Sequence, residues 1–375
     1  MKIGIICPYN ILKGGGVQEH VKALKAELDK RGHTAIIITP MPRDSEVGPM
    51  PGVIFVGTST DFRSPMHTSV QISATAASAT IDRVLEQEQF DILHFHEPWI
   101  PVISRQILQR SKAINIATFH AKVPETLMSR TVIRVVTPYT KSVLKYFHQF
   151  TAVSESALEY ASSLTDEPFE IIPNGIDLKA YKVAKHSKSA KHPKKILYIG
   201  RLERRKGVNY LLKAFELLQK DNPDVSLVIA GAGPDREKLE LLSEDLELKN
   251  VEFLGYISDQ EKHKLLSEAD LFCSPAVYGE SFGIVLLEAM ATGLVAVAGN
   301  NSGYADLMQG VGALSIVNPK DSMEFARRLE SLLYEETLRA LWREWAKDYV
   351  PQFSYERIVD KYETLYRQVL ARNGK

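Results

Sequence analysis

Short apolar runs, each followed by a stretch with helical spacing, recur along the whole chain, and no other feature restricts its fold as much. Residues 2–7 form the first run and lead into Gly14, Gly15 and Gly16. Val21, Leu24 and Leu28 then recur at the interval of a helix face. A second run at 35–39 is bounded by Gly32 and Pro40, and further runs follow at 91–95, 114–119, 150–153 and 170–172. Apolar strands that alternate with helices predict a mostly parallel sheet covered on both faces, an α/β fold.

The alternation is interrupted once. Residues 179–195 carry seven lysines and two histidines with few apolar positions, which predicts a solvated linker, taken here as 176–192. Strand signals restart at 196–199, 226–230, 251–254, 271–274 and 294–298, with a helix expected at 208–219. The predicted architecture is therefore two Rossmann-like, doubly wound domains, residues 1–175 and 193–353. A chain of 375 residues is long enough for both cores. Residues 354–370 form one long amphipathic pattern, with Ile358, Tyr362, Leu365 and Val369 on a single face. In open parallel sheets the ligand lies beyond the carboxyl ends of the strands, so the loops there are where chemistry is expected.

Charge and cysteine content exclude several classes. Forty-six basic residues balance 46 acidic ones, so the molecule as a whole is no electrostatic partner for nucleic acid. Cys7 and Cys273 both sit in apolar runs, which argues against a disulfide framework and for a reducing compartment. The apolar stretch before Pro8 is too short for a signal-peptide core, and no run approaches the roughly 20 residues of a spanning helix. A cytoplasmic protein is expected, peripheral at most on the inner membrane face.

Two strings stand out in the second half. In YGESFGIVLLEAMATG (278–293), Phe282, Gly283 and Ile284 open a helix whose free N–H groups favour a diphosphate. Glu280 and Glu288 are placed to accept hydrogen bonds from sugar and ribose hydroxyls. In GRLERRKGV (200–208), Arg201 and Lys206 can reach the same diphosphate and stabilise the charge of a departing nucleotide, whereas Arg205 reads as a surface residue. Gly231, in GAGPDREKL, makes a tight strand-to-helix turn that serves either structure or the donor. Ile257 and Asp259, in FLGYISDQEK, offer contacts to a base, and the Asp259 carboxylate suits guanine. Equally, Ser258 or Asp259 caps the next helix.

The first half is less explicit. Gly15 and Gly16 allow a phosphate to approach, yet the second strand ends IIITP without the acidic residue that a nicotinamide cofactor's ribose requires. His120, in ATFHA, follows a strand and reads either as a sugar-binding donor or as a structural residue. His94 and His96, in LHFHEP, have only Glu97 beside them, too little for a metal site. No two aspartates lie two positions apart, so the acidic metal clamp of many nucleotide-sugar enzymes is missing. Neither a metal nor another cofactor is expected.

These strings resemble the family 4 retaining glycosyltransferases of the GT-B fold, and the likeness runs from Met1 to about Leu370. It is carried by GGGVQEHV, HFHEPW, TFHA, VSES, IPNGID, GRLERRKG, GAGPDREKL and YGESFGIVLLEA. CPY, GGVQ, HEP and TFH are similar to the branch that mannosylates phosphatidylinositol from GDP-mannose. The resemblance implies two domains facing each other across a cleft, with the C-terminal helix returning to cap the first. It implies that Arg201 and Lys206 bind the donor diphosphate with Gly16 packed against it, and that Glu280 touches the sugar and Glu288 the ribose. By the same likeness His120 assists transfer, Asp259 and Lys262 face the guanine, and Tyr9 and Gln18 flank the acceptor. Trp99 stands where that branch has a small polar residue near the inositol. Residues 59–84 are poor in Lys and Arg where the branch has a basic membrane-binding stretch, and residues 130–150, with Arg130, Arg134, Lys141 and Lys145, read either as a substitute membrane contact or as an ordinary surface helix. The alternative within the class is a UDP-sugar-dependent enzyme with another glycolipid or a soluble sugar as acceptor.

Overall fold

The computed structural model describes residues 1–42, 48–63, 69–75, 77–100, 103–122, 137–181 and 193–374. They form two compact units, Met1–Gly175 with Tyr355–Lys375, and Ile176–Ser354.

In the first unit the described strands are β1 (Lys2–Ile6), β2 (Thr34–Met41), β3 (Val53–Arg63), β4 (Ser69–Thr75), β5 (Ile92–His96), β6 (Ile114–Phe119), β7 (Gln149–Ala152) and β8 (Phe169–Ile171). They make one sheet in the order β4-β3-β2-β1-β5-β6-β7-β8. Every neighbouring pair is parallel except the β3–β4 hairpin at the edge. Side chains alternate across the sheet, as the two-residue period of a strand requires. Ile3 and Ile5 point into a core shared with Val21, Leu24 and Leu28 of the helix Gly16–Lys30. Ile6, Leu93 and Phe95 point into the opposite core with Ile103 and Ile107.

The C-terminal helix Tyr355–Arg372 completes this unit. Ile358, Val359, Tyr362, Leu365, Tyr366 and Val369 are all buried in the same core as Ile3 and Ile5. Its polar edge is tied down as well. Arg31 reaches Asp360 and Glu363, both at 2.6 Å, and His33 Nε2 lies 2.6 Å from Glu363. Each fully buried aliphatic or aromatic side chain contributes roughly 1.5–3 kcal/mol, so this helix is a large part of the unit's core.

The second unit has β9 (Lys195–Ile199), β10 (Ser226–Ala230), β11 (Val251–Gly255), β12 (Leu271–Ser274), β13 (Ala296–Gly299) and β14 (Ile316–Val317). Their order is β11-β10-β9-β12-β13-β14, parallel throughout. Numbered within the unit this is 3-2-1-4-5-6, the Rossmann order, whose direction reverses between β9 and β12. Ile176, read from the sequence as the first linker residue, instead pairs with Ser354 and donates its N–H to the Phe353 carbonyl at 2.8 Å. Among the described residues no helix is long and apolar enough to cross a membrane.

Candidate active site

Strand order dictates where the chemistry of the second unit collects. The loops after β9 and β12 leave the sheet at the reversal point, and they carry GRLERRKG and YGESFG. Tyr198, at the end of β9, donates its hydroxyl to the Arg201 carbonyl at 2.8 Å and shapes the first loop. Arg205 and Lys206 then lie in a short 3-10 turn, Arg204–Lys206, that closes at Gly207 in the left-handed region.

Glu280 is the focus of this half. Its Oε1 accepts from Lys206 Nζ at 2.8 Å and from the Arg205 guanidinium. Burial pushes the Glu280 carboxyl up, but Lys206 and Arg205 more than cancel that and hold it below its ordinary value. Arg205 also binds the buried Glu203 through Nε at 3.1 Å, and Arg201 pairs with the same carboxylate at 2.8 Å. The surface role read for Arg205 is therefore wrong. Three consecutive cations in a loop give no sign of which one turns inward. Arg201, by contrast, keeps its side chain 45% exposed while paired with Glu203.

Beside Glu280 the helix Ile284–Ala291 begins. Gly283 precedes it with φ +107°, and no side chain caps the first turn, which leaves its N–H groups to a ligand. A Cβ at Gly283 would lie 2.9 Å from the Tyr304 ring, and Tyr304 is itself fixed by Ser274 at 2.7 Å. Phe282 is buried and packs edge-on to Phe353. Gly231, after β10, has φ +152°, and a Cβ there would meet the Gly200 carbonyl at 1.8 Å. Only glycine fits where these two loops cross.

The residues around Glu288 form a second cluster. Glu288 Oε1 accepts from Tyr181 and from Lys262, each at 2.8 Å, and Lys262 also pairs with Asp259 at 3.1 Å. Burial would lower the Lys262 ammonium, but Glu288 and Asp259 raise it overall. Ser258 caps the helix Asp259–Glu268 in a capping box with Glu261. The capping role thus falls on Ser258, and the Asp259 side chain is left 86% exposed. Ile257 is half-buried at the end of the β11 loop.

In the first unit the strand order reverses between β1 and β5. Tyr9 follows β1 and its carbonyl accepts from Thr39 Oγ1 at 2.7 Å. Gly16 opens the next helix, which has no side-chain cap, and Gln18 is buried in its first turn. After β5 come Glu97 and Trp99, and after β6 comes His120. His96 Nδ1 and His120 Nε2 lie 2.8 Å apart. His20 packs against both rings at centroid distances of 5.4 and 5.1 Å. Sequence spacing found no third partner for His94 and His96 except Glu97; folding brings His20 and His120 to His96 from a helix and a neighbouring strand. Nitrogens of these three rings lie within 4.8 Å of one another, a set that can approach one divalent ion. All are held neutral by burial, His20 down to about 4. His94 is outside this group, bound by Tyr366 at 2.8 Å and Thr118 at 2.6 Å.

Glu97 is fully buried with φ +50°, a left-handed conformation rare for a residue with a side chain. Its Oε1 accepts from the backbone N–H of His120 at 2.5 Å and of Ala121 at 2.6 Å, and its Oε2 from the Trp99 indole. Its position inside LHFHEP, an apolar strand end running into Pro98, was the only available hint.

Of residues 130–150, Arg130 and Arg134 lie outside the described residues. Residues 137–144 are helical, with Val143 and Leu144 buried in the core and Lys141 and Lys145 exposed. Among the described residues, Val143 and Leu144 are thus spent inside the protein.

Comparison with known proteins bears on this geometry. The family described as Glycosyltransferase Family 4 matches residues 14–180, and Glycosyl transferases group 1 matches 182–349. The phosphatidyl-myo-inositol mannosyltransferase of Mycolicibacterium smegmatis is 30% identical over 97% of this chain and 94% of its own length. The chain belongs to the family 4 glycosyltransferases. A Propionibacterium freudenreichii protein of the same name is 32% identical over 82% of this chain and 79% of its own. Among solved structures, sucrose-phosphate synthase from Thermosynechococcus elongatus superposes with a TM-score of 0.79 at 19% identity, over 99% of both chains. Anabaena HepE in complex with UDP and glucose does so at 0.75 and 18%, over 97% of this chain and 99% of its own. These likenesses establish the GT-B fold. The glycosyltransferase is thus an enzyme whose candidate residues collect at the reversal points of two Rossmann-like sheets.

Proposed function

We propose that this glycosyltransferase moves mannose from GDP-mannose to a phosphatidylinositol-type lipid with retention of configuration and without a metal ion. The observation that carries the reading is Glu280, ionised and locked by Lys206 and Arg205 beside the uncapped helix at Gly283. Arg201, Lys206 and that helix mouth draw charge toward the departing diphosphate. Glu280 accepts from the hydroxyls of the sugar and Glu288 from the ribose, while Gly231 lets the donor approach the backbone. Asp259 faces the N–H groups of guanine, with Lys262 at its side and Ile257 against the base. As the bond from the sugar carbon to phosphate breaks, the acceptor oxygen bonds to the same face, and its proton passes to the leaving phosphate oxygen. No side-chain base is needed.

In the first unit His120 donates to the sugar, Gly16 accommodates the diphosphate, and Tyr9, Gln18 and Trp99 contact the acceptor. The lipid acceptor rests on the full-length 30% likeness to phosphatidyl-myo-inositol mannosyltransferases. Contact with the cytoplasmic membrane face would be electrostatic, through the exposed Lys141 and Lys145.

Thermal shift with GDP against UDP, followed by transfer assays with phosphatidylinositol and diacylglycerol vesicles, tests the reading. Stabilisation by GDP and product from phosphatidylinositol are expected. Stabilisation by UDP alone would overturn the guanine assignment.

A further inference from the structure

We propose that Glu97 is a positioning residue for the transfer step, its buried carboxylate holding the turn that carries His120 together with the indole of Trp99. The inference rests on the reading above that His120 meets the sugar.

A carboxylate removed from water needs compensating donors. Glu97 has three: the backbone N–H groups of His120 and Ala121 on one oxygen, and the Trp99 indole on the other. Among the described residues it forms no ion pair, and burial pushes its carboxyl up to about 7 against the pull of its three donors, so those donors serve to orient the group. The arrangement is over-determined. The Glu97 backbone N–H donates to the Thr118 carbonyl at 2.9 Å, which fixes the end of β5 against β6 two residues before His120. The left-handed backbone at Glu97 aims the side chain back across that gap. The His120 ring is held separately, by His96 Nδ1 at 2.8 Å. One carboxylate therefore sets the main chain of His120 while a neighbouring imidazole sets its side chain. The Tyr9 hydroxyl is pushed up by burial and then by the Glu97 charge.

A residue that acts this way changes turnover more than donor affinity. Glutamine is the informative replacement, because its amide keeps an acceptor for the two backbone N–H groups but sets a donor against the indole N–H. With GDP-mannose and phosphatidylinositol vesicles, Glu97→Gln should lower kcat by roughly 10–100-fold, the range for a misplaced catalytic group, with the donor KM changed less than about threefold. In a His120→Ala background the same replacement should add little, since both act through one group. Glu97→Asp, which keeps the charge but withdraws it by one methylene, serves if Glu97→Gln does not fold, and the same loss is expected. Wild-type kcat in either Glu97 variant, with His120→Ala impaired, overturns the role of Glu97 alone, as does a full additional loss in the double variant. Undiminished activity of His120→Ala would instead overturn the reading of His120 on which the inference stands.

Discussion

At the scale of single residues, the proposed donor half-site is a charge balance. Glu280 remains ionised in a half-buried position because two cations converge on it, so its worth depends on both. Lys206→Ala and Glu280→Gln are expected to lower kcat/KM by about 10²–10³-fold, the usual cost of one transition-state contact, with little change in melting temperature. Arg205→Ala should fall in the same range, although sequence alone reads Arg205 as a surface cation. Initial-rate assays on the three purified variants check this, and wild-type rates for Lys206→Ala and Glu280→Gln would remove the site. What separates Arg205 from Arg204 is the direction of a turn of three residues, which spacing does not encode.

Among the elements, the C-terminal helix and the histidine cluster couple stability to composition. Tyr366 supplies the partner of the buried His94 Nδ1. Tyr366→Phe should therefore cost about 1–2 kcal/mol, the penalty of a stranded buried polar group, measurable as a lower urea midpoint. Burial lowers His20 from 6.5 to about 4, so the unfolded chain takes up a proton that the folded chain refuses between those values. Stability must then fall as pH drops from 6.5 toward 4, by on the order of 3 kcal/mol from His20 alone. Melting curves across that window should be steeper for the wild type than for His20→Phe, and parallel curves would refute the assignment. The elements themselves were legible wherever an apolar run alternated with a helix face, as in β1, β6, β9 and β12. The β3–β4 hairpin was not: β4, SVQISAT, alternates single apolar with polar residues, as an edge strand can, and the VIFV run of β3 is followed by no helix face that would mark it. The meeting of His20, His96 and His120 was also invisible, because it brings His20 to residues in two later strand ends, far from it in the sequence.

For the whole molecule, two doubly wound sheets explain why the candidate residues come from so many parts of the chain. The strand order reverses once in each unit, and the loops that leave those points hold Tyr9, Glu97 and Trp99 in one and Arg201, Lys206 and Glu280 in the other. Motif strings revealed those loops because glycines and charges interrupt apolar runs there. Burial, ion pairing and backbone direction decide which charge points inward, and these arise only on folding. In the proposed reaction, protein cations and a helix mouth carry the charge of the leaving diphosphate without a divalent ion. The initial rate of mannose transfer from GDP-mannose to phosphatidylinositol, measured with and without excess EDTA, tests it most directly. An unchanged rate in chelator is expected; a rate abolished by EDTA and restored by manganese would show that a divalent ion carries that charge instead.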